Sequence, residues 1–149
     1  MPQSGSQVSD LAHVIQLAVA PVFLLTGIGP TLGVLTSRLA RIVDRARELE
    51  RAHATATPLE EGELQGQLLT LRRRAQLINR AITLCTACAL LICVVIATLF
   101  VGALLGVNLS TLIVVLFLLG MLALIGGFVT FLREIFLATA SLRIGPSPH

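Results

Sequence analysis

The sequence contains no lysine, no tryptophan and no tyrosine. Without Trp or Tyr it lacks the aromatic belts that commonly mark the two faces of a bilayer. No basic residue occurs before Arg38. A cleaved secretory signal needs a positive n-region, so the first apolar segment is expected to stay in the mature protein. Charge is scarce too, at 13 % of residues, while 55 % are hydrophobic. A soluble domain carries roughly 25 % charged residues, so this balance argues for lipid as the surrounding medium.

Catalytic groupings are also missing. There is no Ser/His/Asp set, no H-E-x-x-H, no phosphate-binding loop and no pair of carboxylates within an apolar stretch. His13, His53 and His149 are scattered along the chain, which speaks against a shared metal site in one subunit. Cys85, Cys88 and Cys93 lie in one apolar run. The C-x-x-C they contain has no second ligand pair nearby and reads as small buried hydrophobes. The expectation is a protein without enzymatic activity, cofactor or metal.

Three apolar segments are present, at 11–37, 81–105 and 111–132. Crossing a hydrocarbon core of about 30 Å takes roughly 20 helical residues, and each segment is long enough. The predicted fold is an all-α membrane protein with three transmembrane helices. Residues 1–10 read as a polar tail, with Ser9 as N-cap and Asp10 suited to the helix dipole. The first span contains Pro21, Gly27, Gly29, Pro30 and Gly33. Each proline removes a backbone donor, which predicts a kinked or locally unwound helix near Gly27–Gly33 that faces protein rather than lipid.

Residues 38–80 are polar. Leu39, Ile42, Ala46, Leu49 and His53 repeat at alternating steps of three and four, and so do Leu64, Leu68, Leu71, Ala75 and Ile78. These are two a/d-type seams. Between them Thr57, Pro58 and Glu60 fit a capping box with proline at the first helical position. The expected element is an antiparallel coiled-coil hairpin whose second helix runs on into the second span. Pairs such as Arg41–Asp44 suit its solvated face. Residues 106–110 read as a tight turn, with Asn108 or Ser110 capping the third span. Arg133 and Glu134 mark the exit of that span, and 133–149 form a C-terminal segment.

All eleven basic residues are Arg, and nine of them lie between the first and second spans. Arg133 and Arg143 follow the third, while 1–10 and 106–110 have none. The positive-inside rule then places the hairpin and C-terminus in the cytoplasm and the N-terminus outside.

Three features bear on function. On an ideal helix His13, Gln16, Ala20, Gly27, Thr31 and Arg38 share one face of the first span. Such a face lines a pore or packs against another helix. Gly29-x-x-x-Gly33, Gly102-x-x-x-Gly106 and the small residues every fourth position from Ala81 to Ala97 favour close helix packing, within the chain or between subunits. Arg72, Arg73, Arg74 and Arg80 lie where anionic lipid head groups are expected. Nucleic acid is an unsuitable partner, since acidic residues run through the same stretch and no aromatics interleave with it.

The run from Ile15 to Gly29, IQLAVAPVFLLTGIG, and the run from Arg38 to Arg47, RLARIVDRAR, resemble a bacterial family of small membrane proteins catalogued as domain of unknown function 2721. The likeness is strongest over 11–51 and extends to about residue 140. It implies a bacterial inner-membrane location and brings no activity with it. The functional expectation is a homo-oligomer in the bilayer, with a channel or small-solute path lined by the first span. The alternative is an accessory subunit that docks a protein partner on 38–80.

Overall fold

The computed structural model describes residues 4–54 and 58–140, with side chains described from Val8 to Ala54 and from Glu61 to Thr139. Three helices make up the described chain: α1 Ser4–His53, α2 Pro58–Leu105 and α3 Ser110–Ala140. All three are long and apolar enough to cross a membrane. α1 has 50 residues and α2 has 48. At 1.5 Å per residue each has an axis of roughly 70–75 Å, more than twice the hydrocarbon core of about 30 Å. The membrane segment and the polar segment are therefore one uninterrupted helix in both cases.

The chain divides into two compact units. The first holds α1 as far as Leu32 together with Leu84–Ile125. The second holds Gly33–Thr83 together with α3 from Gly126 onward.

Burial follows a seven-residue period in every helix, as expected where helices pack side by side along their length. On α1 the buried positions Pro21, Ile28, Leu35, Ile42 and Leu49 recur every seventh residue. The same seven-residue period is thus kept in both units, at Pro21 and Ile28 in the first and at Leu35, Ile42 and Leu49 in the second. On α2, Ile78, Cys85 and Ile92 form one such row, and Ala81, Cys88 and Val95 form a second. On α3 the row is Gly120, Gly127 and Glu134.

Within the first unit, small residues set the spacing. A Cβ on Gly120 would lie 3.4 Å from Ile92 Cδ1 and 3.6 Å from Leu91 Cβ, so α2 and α3 approach closely there. Gly106 closes α2 in the left-handed region, at φ +64°. The Val107 N–H then donates to the Gly102 carbonyl at 3.2 Å, the long bond of a Schellman cap. Asn108 Oδ1 accepts from both the backbone N–H and the hydroxyl of Ser110, which fixes the start of α3.

Two expectations need correction. α1 begins at Ser4, so Ser9 and Asp10 lie inside the helix and not at its start. The flanking polar residues, Gly5 among them, are weak helix formers, but the long span behind them propagates the helix. The helix is not unwound near Gly27–Gly33, since Pro21 and Pro30 both sit inside an unbroken α1. Removing one N–H leaves the neighbouring hydrogen bonds in place, and a helix of this length bridges the gap. The glycines of that stretch do not pack against this chain's own helices. Gly27, Gly29, Pro30 and Gly33 are exposed, and nothing lies within 4 Å of a Cβ placed on any of the three glycines. Pro21 is buried, and so is Ile28 between the glycines. Thr57 lies outside the described residues, as do the side chain of Glu60 and everything past Ala140, Arg143 and His149 included.

Candidate functional site

α3 is mostly apolar, yet it places a carboxylate on its buried row. Glu134 takes the heptad position that Gly120 and Gly127 occupy earlier, and its side chain has no solvent exposure. An ionised carboxylate is tolerated at such a place only when it is paired and hydrogen-bonded. Two arginines do this. Arg38 of α1 donates from Nη1 to Oε2 at 2.8 Å. Arg74 of α2 donates to Oε1 from Nε at 3.1 Å and from Nη2 at 2.9 Å. Each carboxylate oxygen therefore has its own guanidinium, and each guanidinium comes from a different helix.

Arg38 has a second anchor on α3. Its guanidinium carbon lies 5.3 Å from the centre of the Phe131 ring, a cation–π distance. Phe131 and Glu134 are three residues apart and so on one face of α3. The Arg38 side chain is 41 % exposed and that of Arg74 is 23 %. The charge centre is thus sealed on the Glu134 side and open to solvent on the arginine side.

A cavity of about 310 Å³ lies against this cluster. Its wall includes Arg38, Arg41, Arg45 and Arg74 together with Glu134 and Leu71. Four arginines and one glutamate are among its lining residues, so their formal charge is net positive. Arg45 also donates to Glu48 at 2.9 Å, in a pair that is well exposed on both sides. Screening leaves such a pair little energy, so Arg45 can exchange Glu48 for another anion at little cost. Two further cavities lie between the polar parts of α1 and α2, of about 280 Å³ beside Ala46 and Ala75, and about 620 Å³ beside Leu49 and Gln67. Among the described residues no group of three or more His, Cys, Asp and Glu side chains is placed to hold a metal.

The sequence model of a family described as a protein of unknown function, DUF2721, matches residues 18–144. The chain belongs to this family. The resemblance noted in the sequence is thereby confirmed, and the region of DUF2721 likeness contains Arg38, Arg74, Phe131 and Glu134. His13 and Gln16 precede it. No curated protein and no solved structure matches the chain.

The residues singled out from sequence fall into three groups. His13, Gln16, Ala20 and Gly27 are exposed on α1. Thr31 is half-buried, and its hydroxyl donates to the Gly27 carbonyl at 3.0 Å, inside its own helix. Arg38, assigned to the same pore or packing face, reaches Glu134 of α3. Arg72, Arg73 and Arg80 are exposed, whereas Arg74 turns inward to Glu134 and is separated from them in role. Glu134 itself, Phe131, Arg41 and Arg45 were not recognised as site residues. One signal pointed to Glu134: it is the only acidic residue after Glu63.

Proposed function

We propose that this chain is a non-enzymatic protein of the bacterial inner membrane that acts as a homo-oligomer. The hairpin 38–80 and the C-terminus lie in the cytoplasm, the N-terminus lies outside, and α1 borders a small-solute path between subunits. One observation carries the reading. The stretch of α1 around Gly27, Gly29, Pro30 and Gly33 is exposed, with empty space where a Cβ would stand on each glycine. Pro30 supplies no N–H to the Thr26 carbonyl. Lipid offers no donor to replace it, and it gains little from a smooth glycine surface. A second copy supplies both a closely fitting helix and polar groups. The hairpin, read as a coiled coil, adds a cytoplasmic surface for the same assembly.

The exposed polar face of His13, Gln16, Ala20 and Gly27 is the side of α1 expected to meet the path. The deciding experiment is the mass of the protein in mild detergent, by light scattering corrected for bound detergent. A closed oligomer is expected, and a monomer would overturn the proposal. Reconstituted vesicles should then show a solute flux that changes in Gln16→Leu. An oligomer with no such change would retain the assembly and remove the path.

A further inference from the structure

We propose that the arginine-lined cavity beside Glu134 binds a phosphate-bearing anion. The inference rests on one chain alone and does not depend on the subunit number. A guanidinium has five N–H donors in a rigid fork. In their hydrogen bonds to Glu134, Arg38 uses one of these donors and Arg74 uses two. Glu134 therefore holds both groups in place without saturating them. Arg41 and Arg45, on the same wall, bring two more forks. Among the described residues, Arg41 has no ion pair. Asp44 lies on the same helix but is not part of the wall, and Glu48 meets Arg45 on the exposed side.

Tetrahedral phosphate is the anion that several planar forks satisfy at once. The volume of about 310 Å³ is at the low end of ligand pockets, which begin near 300 Å³. It suits a phosphoryl group with a small substituent. The remaining wall, with Leu71 and Ile42, is apolar and accepts the uncharged part of such a molecule. Two sources share this chemistry, the head group of an anionic phospholipid and a soluble phosphate. Arg38 directly follows the apolar segment 11–37 and Glu134 lies two residues past 111–132, so the cavity is expected near head-group level.

The test uses the full chain purified in a zwitterionic detergent, with two probes. Native mass spectrometry reads retention of added phosphatidylglycerol against phosphatidylcholine. Calorimetry reads binding of inorganic phosphate. Arg41→Gln/Arg45→Gln spares the Glu134 pairs and is expected to weaken binding by about tenfold or more. Arg72→Gln/Arg73→Gln removes the same charge from exposed positions outside this cavity and is expected to leave binding within about twofold. If the first variant loses phosphatidylglycerol selectively, the proposal stands with a lipid source. If it loses inorganic phosphate, the proposal stands with a soluble source. Equal losses in the two variants would mean a diffuse basic surface and overturn it, as would the absence of binding by either probe. A helical circular dichroism spectrum and an unchanged melting curve for both variants confirm that folding is not what the comparison reads.

Discussion

The two units of the molecule solve the same packing problem with opposite materials. The first buries Cys85, Cys88, Ile92 and Val95, and thins α3 to a glycine at position 120. In lipid there is no hydrophobic gain from bringing such helices together, so small residues and close contact must do it. The second unit buries Leu35, Ile42, Leu49 and Ile78, but it also buries a charge, Glu134. Its three helices are tied by Arg38 and Arg74 at one carboxylate. The first unit therefore tolerates polar loss and is sensitive to added volume, while the second is sensitive to the loss of a single charge. Each unit has its own reporter: buried Cys85 and Cys88 in the first, and the arginines of 38–80, which are trypsin sites, in the second.

The largest effect should come from Glu134→Ala. It leaves Arg38 and Arg74 facing each other without a counter-charge. Breaking a buried pair of this kind destabilises by roughly 3–5 kcal/mol. Trypsin cleavage within 38–80 should accelerate by about a hundredfold or more, with much less change in thiol labelling of Cys85 and Cys88. Glu134→Leu/Arg74→Met replaces the buried pair by apolar groups and should restore most of the resistance, since Arg38 is open enough to keep its charge hydrated. Equal cleavage of wild type and Glu134→Ala would show that the carboxylate does not hold the second unit together.

Gly120→Leu reverses the comparison. Even a Cβ meets Ile92 and Leu91, and the rest of the side chain forces α2 and α3 apart. Overpacking of this kind destabilises by about 1–3 kcal/mol. Thiol labelling of Cys85 and Cys88 should rise by roughly tenfold, while trypsin resistance of 38–80 changes little. A smaller effect in the same unit is expected from Gly106→Ala. The φ of +64° disfavours any Cβ by about 1 kcal/mol, so labelling should rise severalfold at most. The Schellman bond from Val107 to Gly102 would weaken with it.

What could be read from the sequence divides along the same line. The apolar runs, the seam from Leu64 to Ile78, Pro58 at a helix start and Asn108 as a cap are all local patterns. Each depends on residues within a turn or two of one another, and periodicity exposes them. The Glu134 cluster is not local: its partners are 96 and 60 residues away. Only the register of three helices brings them together, and register is invisible to hydropathy. The same ignorance of register groups Arg74 with Arg72, Arg73 and Arg80, and Arg38 with the pore or packing face of α1, and hides the one carboxylate that both reach. Glycine and proline misled in another way. In α1 they read as a weak point within the span, yet the helix runs unbroken through them, with Gly27, Gly29, Pro30 and Gly33 exposed and Pro21 buried.

The smallest effect on stability separates the folding of one chain from the association of several. Gly29→Leu places a large side chain where nothing lies within 4 Å. Thiol labelling and trypsin resistance should both stay within about twofold of wild type, because no neighbour in the same chain is displaced. Glycine to leucine also favours the helix by about 0.5–1 kcal/mol, which if anything raises resistance slightly. If a second copy packs on this face, the same substitution must keep the two backbones apart, and the particle mass in detergent should fall. A variant as stable as wild type but smaller would assign the exposed glycines to contacts between subunits. Unchanged mass would mean that the open face of α1 meets lipid, and that any assembly is held elsewhere on the molecule.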